Sequence, residues 1–116
     1  MIDFQSATWR DLYPFESHFR PIGGRQYHYL DEYLPDSGQR ADENPPTLLF
    51  VHGNPTWSFH WRRLILALRS KYRCIAPDHL GCGGSDLQPH PLRISDHIQN
   101  LVQLVEDLDL KRITLV

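Results

Sequence analysis

Residues 48–58, LLFVHGNPTWS, constrain this chain most. Leu48, Leu49, Phe50 and Val51 form a continuous apolar run, as expected of a strand covered on both faces. The run breaks at once into His52-Gly53-Asn54-Pro55. An amphipathic stretch follows, with Trp61, Leu64, Ile65 and Leu68 at helical spacing. A strand that ends in a polar, Gly- and Pro-containing turn before a helix is where open α/β sheets keep their binding sites. Such a turn gathers backbone N–H groups, a helix N-terminus and one side-chain amide in one place. That arrangement stabilises an anion or a developing oxyanion.

The flanking segments define the class. Residues 13–20 and 25–34 read as strands. In the second, Gln26, His28 and Leu30 alternate with Tyr27, Tyr29 and Asp31. Residues 35–46, PDSGQRADENPP, are polar and aperiodic and read as an exposed connection between strands. A strand over 47–51 leads to a helix over 57–70, for which Thr56 and Ser58 are candidate caps. Residues 72–76 form the next strand, ended by Pro77. A long loop over 78–91 holds Gly81, Gly83 and Gly84. The second helix spans 95–109, with Ser95 at its N-cap and a stripe of Ile98, Leu101, Val102, Val105 and Leu108. The run 113–116 is a last strand. Strand–helix–strand–helix–strand at this spacing predicts a mostly parallel sheet flanked by helices, with right-handed crossovers. A terminal apolar strand would leave an unpaired edge open to strand pairing or aggregation.

Composition narrows the function classes. A length of 116 residues allows at most one domain. Apolar residues make up 41% and charged residues 22%, which places the chain among folded globular proteins. A net charge of −2 argues against a nucleic-acid or acidic-membrane partner. No apolar run reaches the roughly 20 residues of a membrane span, and the first residues are not a signal peptide. The expected location is cytoplasmic. Two cysteines are too few for a disulfide framework: Cys74 reads as a small buried hydrophobe and Cys82 as a loop thiol without an activating base. The seven histidines show no metal-ligand spacing, so no metal is expected. The glycine loop fails the dinucleotide pattern, because Asp86 stands where its third glycine belongs.

His52-Gly53-Asn54-Pro55 resembles the HGxP turn of α/β-hydrolases, and Asp78-His79-Leu80-Gly81-Cys82-Gly83-Gly84-Ser85-Asp86 resembles their DxxGxGxSD loop. The string HGNPTWSFHWR is similar to the haloalkane dehalogenase branch. YRCIAPDHLGCGGSD and DLKRITLV look closest to the β-lactone decarboxylases of long-chain olefin synthesis. The resemblance covers nearly the whole chain. It implies the N-terminal part of an α/β-hydrolase core, with residues 1–116 an incomplete domain that stops before the nucleophile elbow, the cap and the catalytic His. No G-x-S-x-G occurs, so no catalytic residue is expected within the chain.

The resemblance also assigns roles. Asn54 would stabilise an oxyanion or a leaving halide through its backbone N–H and side-chain amide. His52, Gly53 and Pro55 would shape the turn, with a cis bond before Pro55. Trp57 is a candidate pocket-lining residue, whereas Trp61 reads as core. Asp78 would support the glycine loop. The substrate would be a small apolar haloalkane or a β-lactone, attacked by an Asp carboxylate supplied elsewhere, with no cofactor. The chain by itself is expected to be inactive. A non-catalytic remnant that pairs its last strand with another chain is the alternative.

Overall fold

The computed structural model describes residues 8–116, and the first seven residues lie outside the description. Five strands form one sheet: β1 (His18–Ile22), β2 (Arg25–Glu32), β3 (Thr47–Leu49), β4 (Arg73–Pro77) and β5 (Ile113–Leu115). Their spatial order is β1-β2-β4-β3-β5. The β1–β2 and β2–β4 pairs are antiparallel, whereas β4–β3 and β3–β5 are parallel. Helix α1 (Arg62–Leu68) links β3 to β4, and α2 (Ile94–Asp107) links β4 to β5.

Strand periodicity builds a core on each face of the sheet. Tyr27, Tyr29, Leu49 and Ile75 point to one face and pack with Leu104 of α2 and Leu110. Their neighbours Leu30, Phe50, Cys74 and Ala76 point to the other and pack with Ile65 of α1, Tyr13 and Phe15. The alternation expected in 25–34 is therefore present, and both of its faces are buried from Tyr27 to Leu30. Because α1 and α2 cover opposite faces, the C-terminal ends of β3 and β4 open between them.

Several boundaries differ from expectation. Residues 13–20 are not one strand. Pro14 interrupts the segment, Tyr13 and Phe15 plug the α1-side core, and β1 starts only at His18. The helix expected over 57–70 is a 3-10 turn at Ser58–Trp61 followed by α1. Neither Thr56 nor Ser58 caps it through its own side chain; the Ser58 N–H donates instead to the Asp78 carboxylate at 2.6 Å. Helix α2 begins at Ile94, and its N-cap is Arg93 rather than Ser95. The Asp96 carboxylate reaches back to the Arg93 N–H at 2.8 Å, as in a capping box. The stripe on α2 is also rotated. Leu104 is fully buried and joins Leu101, Val105 and Leu108 against the sheet, while Ile98 and Val102 are 55% and 50% exposed.

The rotation has a measurable consequence. Leu104→Ala should cost about 2–5 kcal/mol of stability through lost contacts and the cavity left behind. Val102→Ala should cost under about 0.5 kcal/mol, as exposed substitutions do. Urea unfolding of the two variants compares them directly.

Candidate functional site

The site forms where the chain leaves β3 and β4. The Phe50 N–H donates to the Ile75 carbonyl at 2.8 Å, and the Val51 N–H to the Val116 carbonyl at 3.1 Å. These bonds carry the ladder past β3 and aim the turn outward. His52 is buried and fixes the next step. Its Nε2 accepts the His79 N–H at 3.0 Å, so Nδ1 carries the ring proton and donates to the Gly53 carbonyl at 2.7 Å. His79 returns the contact, its Nε2 donating to the His52 carbonyl at 3.1 Å. The two loops after β3 and β4 are thus locked by a reciprocal pair of histidines.

Asn54 lies beyond this lock, exposed, with a cis bond to Pro55. Among the described residues, neither its side-chain amide nor its backbone N–H has a hydrogen-bond partner. A side chain added at Gly53 would meet nothing within 4 Å, so the backbone there faces open space. Asn54 borders a cavity of about 660 Å³ whose wall includes Val51, Leu80, Leu92, Ile98 and Leu101. The wall is mostly apolar, and the Asn54 donors stand at its edge. This is the chemistry of a site that takes an apolar molecule and holds an anionic atom at one end.

The other sequence candidates lie elsewhere. Trp57 is not part of this wall; it packs with Trp9, Tyr13 and Phe59 in the α1-side aromatic cluster, at ring separations of 5.6, 5.2 and 5.4 Å. Trp61 packs on Phe50 in the same core. Burial pushes the Cys74 thiol up to about 12, so it is inert as a nucleophile. Cys82 lines the cavity, but burial and the Asp78 charge raise its thiol as well. Among the described residues, no group of three or more His, Cys, Asp or Glu side chains forms a metal site. No described helix is long and apolar enough to cross a membrane.

Asp78 is the anchor beneath both loops. It is fully buried and accepts from the Ser58 N–H, from the Gly84 N–H at 2.9 Å and from His28 Nδ1 at 2.7 Å. Burial alone would raise its pKa. The bond to His28 and the two N–H donors outweigh burial and hold the carboxyl below its ordinary range. The glycine loop closes over it. The Ser85 hydroxyl donates to the Asp78 carbonyl at 2.6 Å and accepts the His28 N–H at 2.8 Å. Gly83 sits at φ +51°, and a Cβ there would lie 2.5 Å from Asp78 Cγ. In the sequence His28 reads only as a strand-face residue, Ser58 as a candidate cap and Ser85 as part of the glycine loop, without their bonds around Asp78. Their signal was present for His28: it shares a strand face with Leu30, and a histidine on a covered face needs a partner.

Gly83→Ala should destabilise the chain by more than about 2 kcal/mol, through steric overlap and a left-handed backbone. Gly53→Ala should be near neutral in the same thermal or urea melts. For pH, burial and the neighbouring His52 lower the His79 pKa to about 4. In the unfolded chain a histidine titrates near 6.5, so the unfolded state binds the extra proton first. The His79 contribution to stability is thus full above about 6.5 and is lost as pH falls toward 4. His79→Asn should flatten that part of a stability-versus-pH curve.

Comparison with known proteins places this geometry. The α/β hydrolase fold family matches residues 46–116. The chain is 38% identical over 109 residues to a cis-3-alkyl-4-alkyloxetan-2-one decarboxylase of Shewanella oneidensis, covering 90% of this chain and 31% of that protein. It is 42% identical over 103 residues to haloalkane dehalogenase 2 of Mycobacterium tuberculosis, covering 87% and 32%. A tetrameric haloalkane dehalogenase structure from Paraglaciecola agarilytica superposes with a TM-score of 0.77 at 29% identity, over 91% of this chain and 38% of that one. The chain thus spans about a third of the length of the curated relatives it matches. With its five strands, its HGNP turn and its glycine loop in the places described above, the chain belongs to the α/β hydrolase fold family, with haloalkane dehalogenases and an oxetanone decarboxylase among its relatives.

Proposed function

We propose that this chain carries the anion-holding half of a haloalkane dehalogenase-like active site. The observation behind the reading is Asn54, with unpartnered donors at the edge of an apolar cavity. In the reaction, a carboxylate attacks the sp³ carbon of a haloalkane. The carbon–halogen bond breaks, and an alkyl ester forms on the carboxylate. Water activated by a histidine then hydrolyses the ester. Asn54 holds the departing halide, whose charge grows along the reaction coordinate. His52 and His79 hold the turn in place and do not transfer protons.

The residues lining the cavity include no carboxylate, and their one thiol, Cys82, is held protonated. The nucleophile is therefore assigned to the part of the relatives that this chain does not span. A second reading is decarboxylation of a β-lactone, in which the same nucleophile opens the ring and loss of carbon dioxide leaves an alkene. The 38% identity to an oxetanone decarboxylase across 90% of the chain favours it. In that reading Asn54 supports the lactone oxygens. A non-catalytic role through strand pairing would use β5, all three residues of which are exposed at the sheet edge.

The test is a chimera joining this chain to the part of the Mycobacterium tuberculosis relative beyond its span. Halide release from a bromoalkane is expected, and Asn54→Ala should lower it about 100-fold. Turnover of a cis-3,4-dialkyl β-lactone without halide release would select the second reading. A folded chimera that turns over neither substrate would overturn both. The 116-residue chain alone is expected to release no halide above a no-protein control, and measurable release would contradict the assignment of the nucleophile.

A further inference from the structure

We propose that Ser17 is an activated nucleophile, its hydroxyl proton held by His28 against the buried Asp78, and that it accepts the acyl group of an activated ester. Ser17 Oγ lies 2.9 Å from His28 Nε2, and His28 Nδ1 lies 2.7 Å from Asp78 Oδ2. A carboxylate only accepts, so His28 Nδ1 carries a proton, and in the neutral ring the Nε2 lone pair faces the Ser17 hydroxyl. Nucleophile, base and orienting acid stand within hydrogen-bond reach in that sequence, which is the signature of an activated serine.

The base is fixed from several sides. His28 and Asp78 are both fully buried. The His28 N–H donates to Ser85 Oγ at 2.8 Å, and its carbonyl accepts the Asp78 N–H at 2.9 Å. The Phe19 ring packs against the imidazole at 5.1 Å. The other hydroxyls of the network are sealed: Ser58 pairs with the Tyr13 hydroxyl and Ser85 with the Asp78 carbonyl, and both are fully buried. Ser17 is half-buried, whereas Ser58 and Ser85 are fully buried. It does not line the cavity beside Asn54, so this inference stands apart from the dehalogenase reading.

The step balances without a cofactor. Oγ attacks the ester carbonyl carbon and the new O–C bond forms. The bond to the leaving alcohol breaks. The Ser17 proton passes to His28 Nε2 and then to the leaving oxygen, while Asp78 stays ionised and supports the transient imidazolium.

The test uses the 116-residue chain as it is. A fluorophosphonate probe is added to the folded protein, the peptides are mapped by mass spectrometry, and p-nitrophenyl acetate is followed in parallel. Labelling of Ser17 is expected to be about 100-fold faster than labelling of the exposed Ser37 and Ser95, the range a positioned base supplies. A stoichiometric burst of p-nitrophenolate is expected, and Ser17→Ala should abolish it. In urea the preference for Ser17 should vanish, because the relay exists only in the fold. Labelling of Ser17 no faster than of Ser37 in the folded chain would overturn the proposal. So would a burst that survives in Ser17→Ala, or a Ser17→Ala that only melts earlier while the parent chain takes no label. Site mapping on the unaltered chain decides the matter if the variant fails to fold.

Discussion

One buried carboxylate holds the functional end of this sheet together. Asp78 sits immediately after β4 and reaches three parts of the chain far apart in sequence: His28 in β2, the Ser58 N–H at the start of the turn before α1, and the Gly84 N–H of the glycine loop. An ionised group in a dry interior is costly unless every lone pair is matched. Here the matching groups are the ones that must be aligned for the loops to close. The need of Asp78 for donors therefore fixes the positions of β2, the α1 approach and the loop after β4. This also explains why burial fails to raise its pKa.

The turn bearing Asn54 depends on that junction at one remove. His79 follows Asp78 in sequence, and the His52–His79 lock ties the HGNP turn to the loop that Asp78 anchors. Both ring nitrogens of His52 and the Nε2 of His79 are paired within this lock, whereas the donors of Asn54 just outside it are open. The division matches a rigid support with open donors at its edge, the form a preorganised anion site takes. The apolar wall beside it comes partly from α2, whose exposed Ile94 and Ile98 continue the surface away from the sheet.

Much of this fold was legible in the sequence, because the signals were strong and local. The apolar run of β3, the alternation in β2 and the Gly-rich loop after β4 each specify backbone conformation over a few residues. The errors fell where tertiary contacts decide. Tyr13 and Phe15 look like strand residues, yet they serve as plugs for the α1-side core. Ser58 and Ser95 look like caps, yet carboxylates at Asp78 and Asp96 do the capping. Apolar spacing alone marks Val102 as part of the α2 stripe, whereas the sheet buries Leu104 instead. At the site, the residue types of the HGNP turn pointed to Asn54. The covered strand face marks His28 as needing a partner, but nothing local names Asp78, 50 residues away.

Amide hydrogen exchange at Ser58 and Gly84 tests the central claim most directly. If Asp78 ties these segments into the core, both N–H groups should exchange only through global unfolding, at the same free energy as Ile75 in the middle of β4. Exchange of Ser58 and Gly84 through fast local opening, while Ile75 stays protected, would contradict the account and reduce the Asp78 junction to a surface feature of the loops.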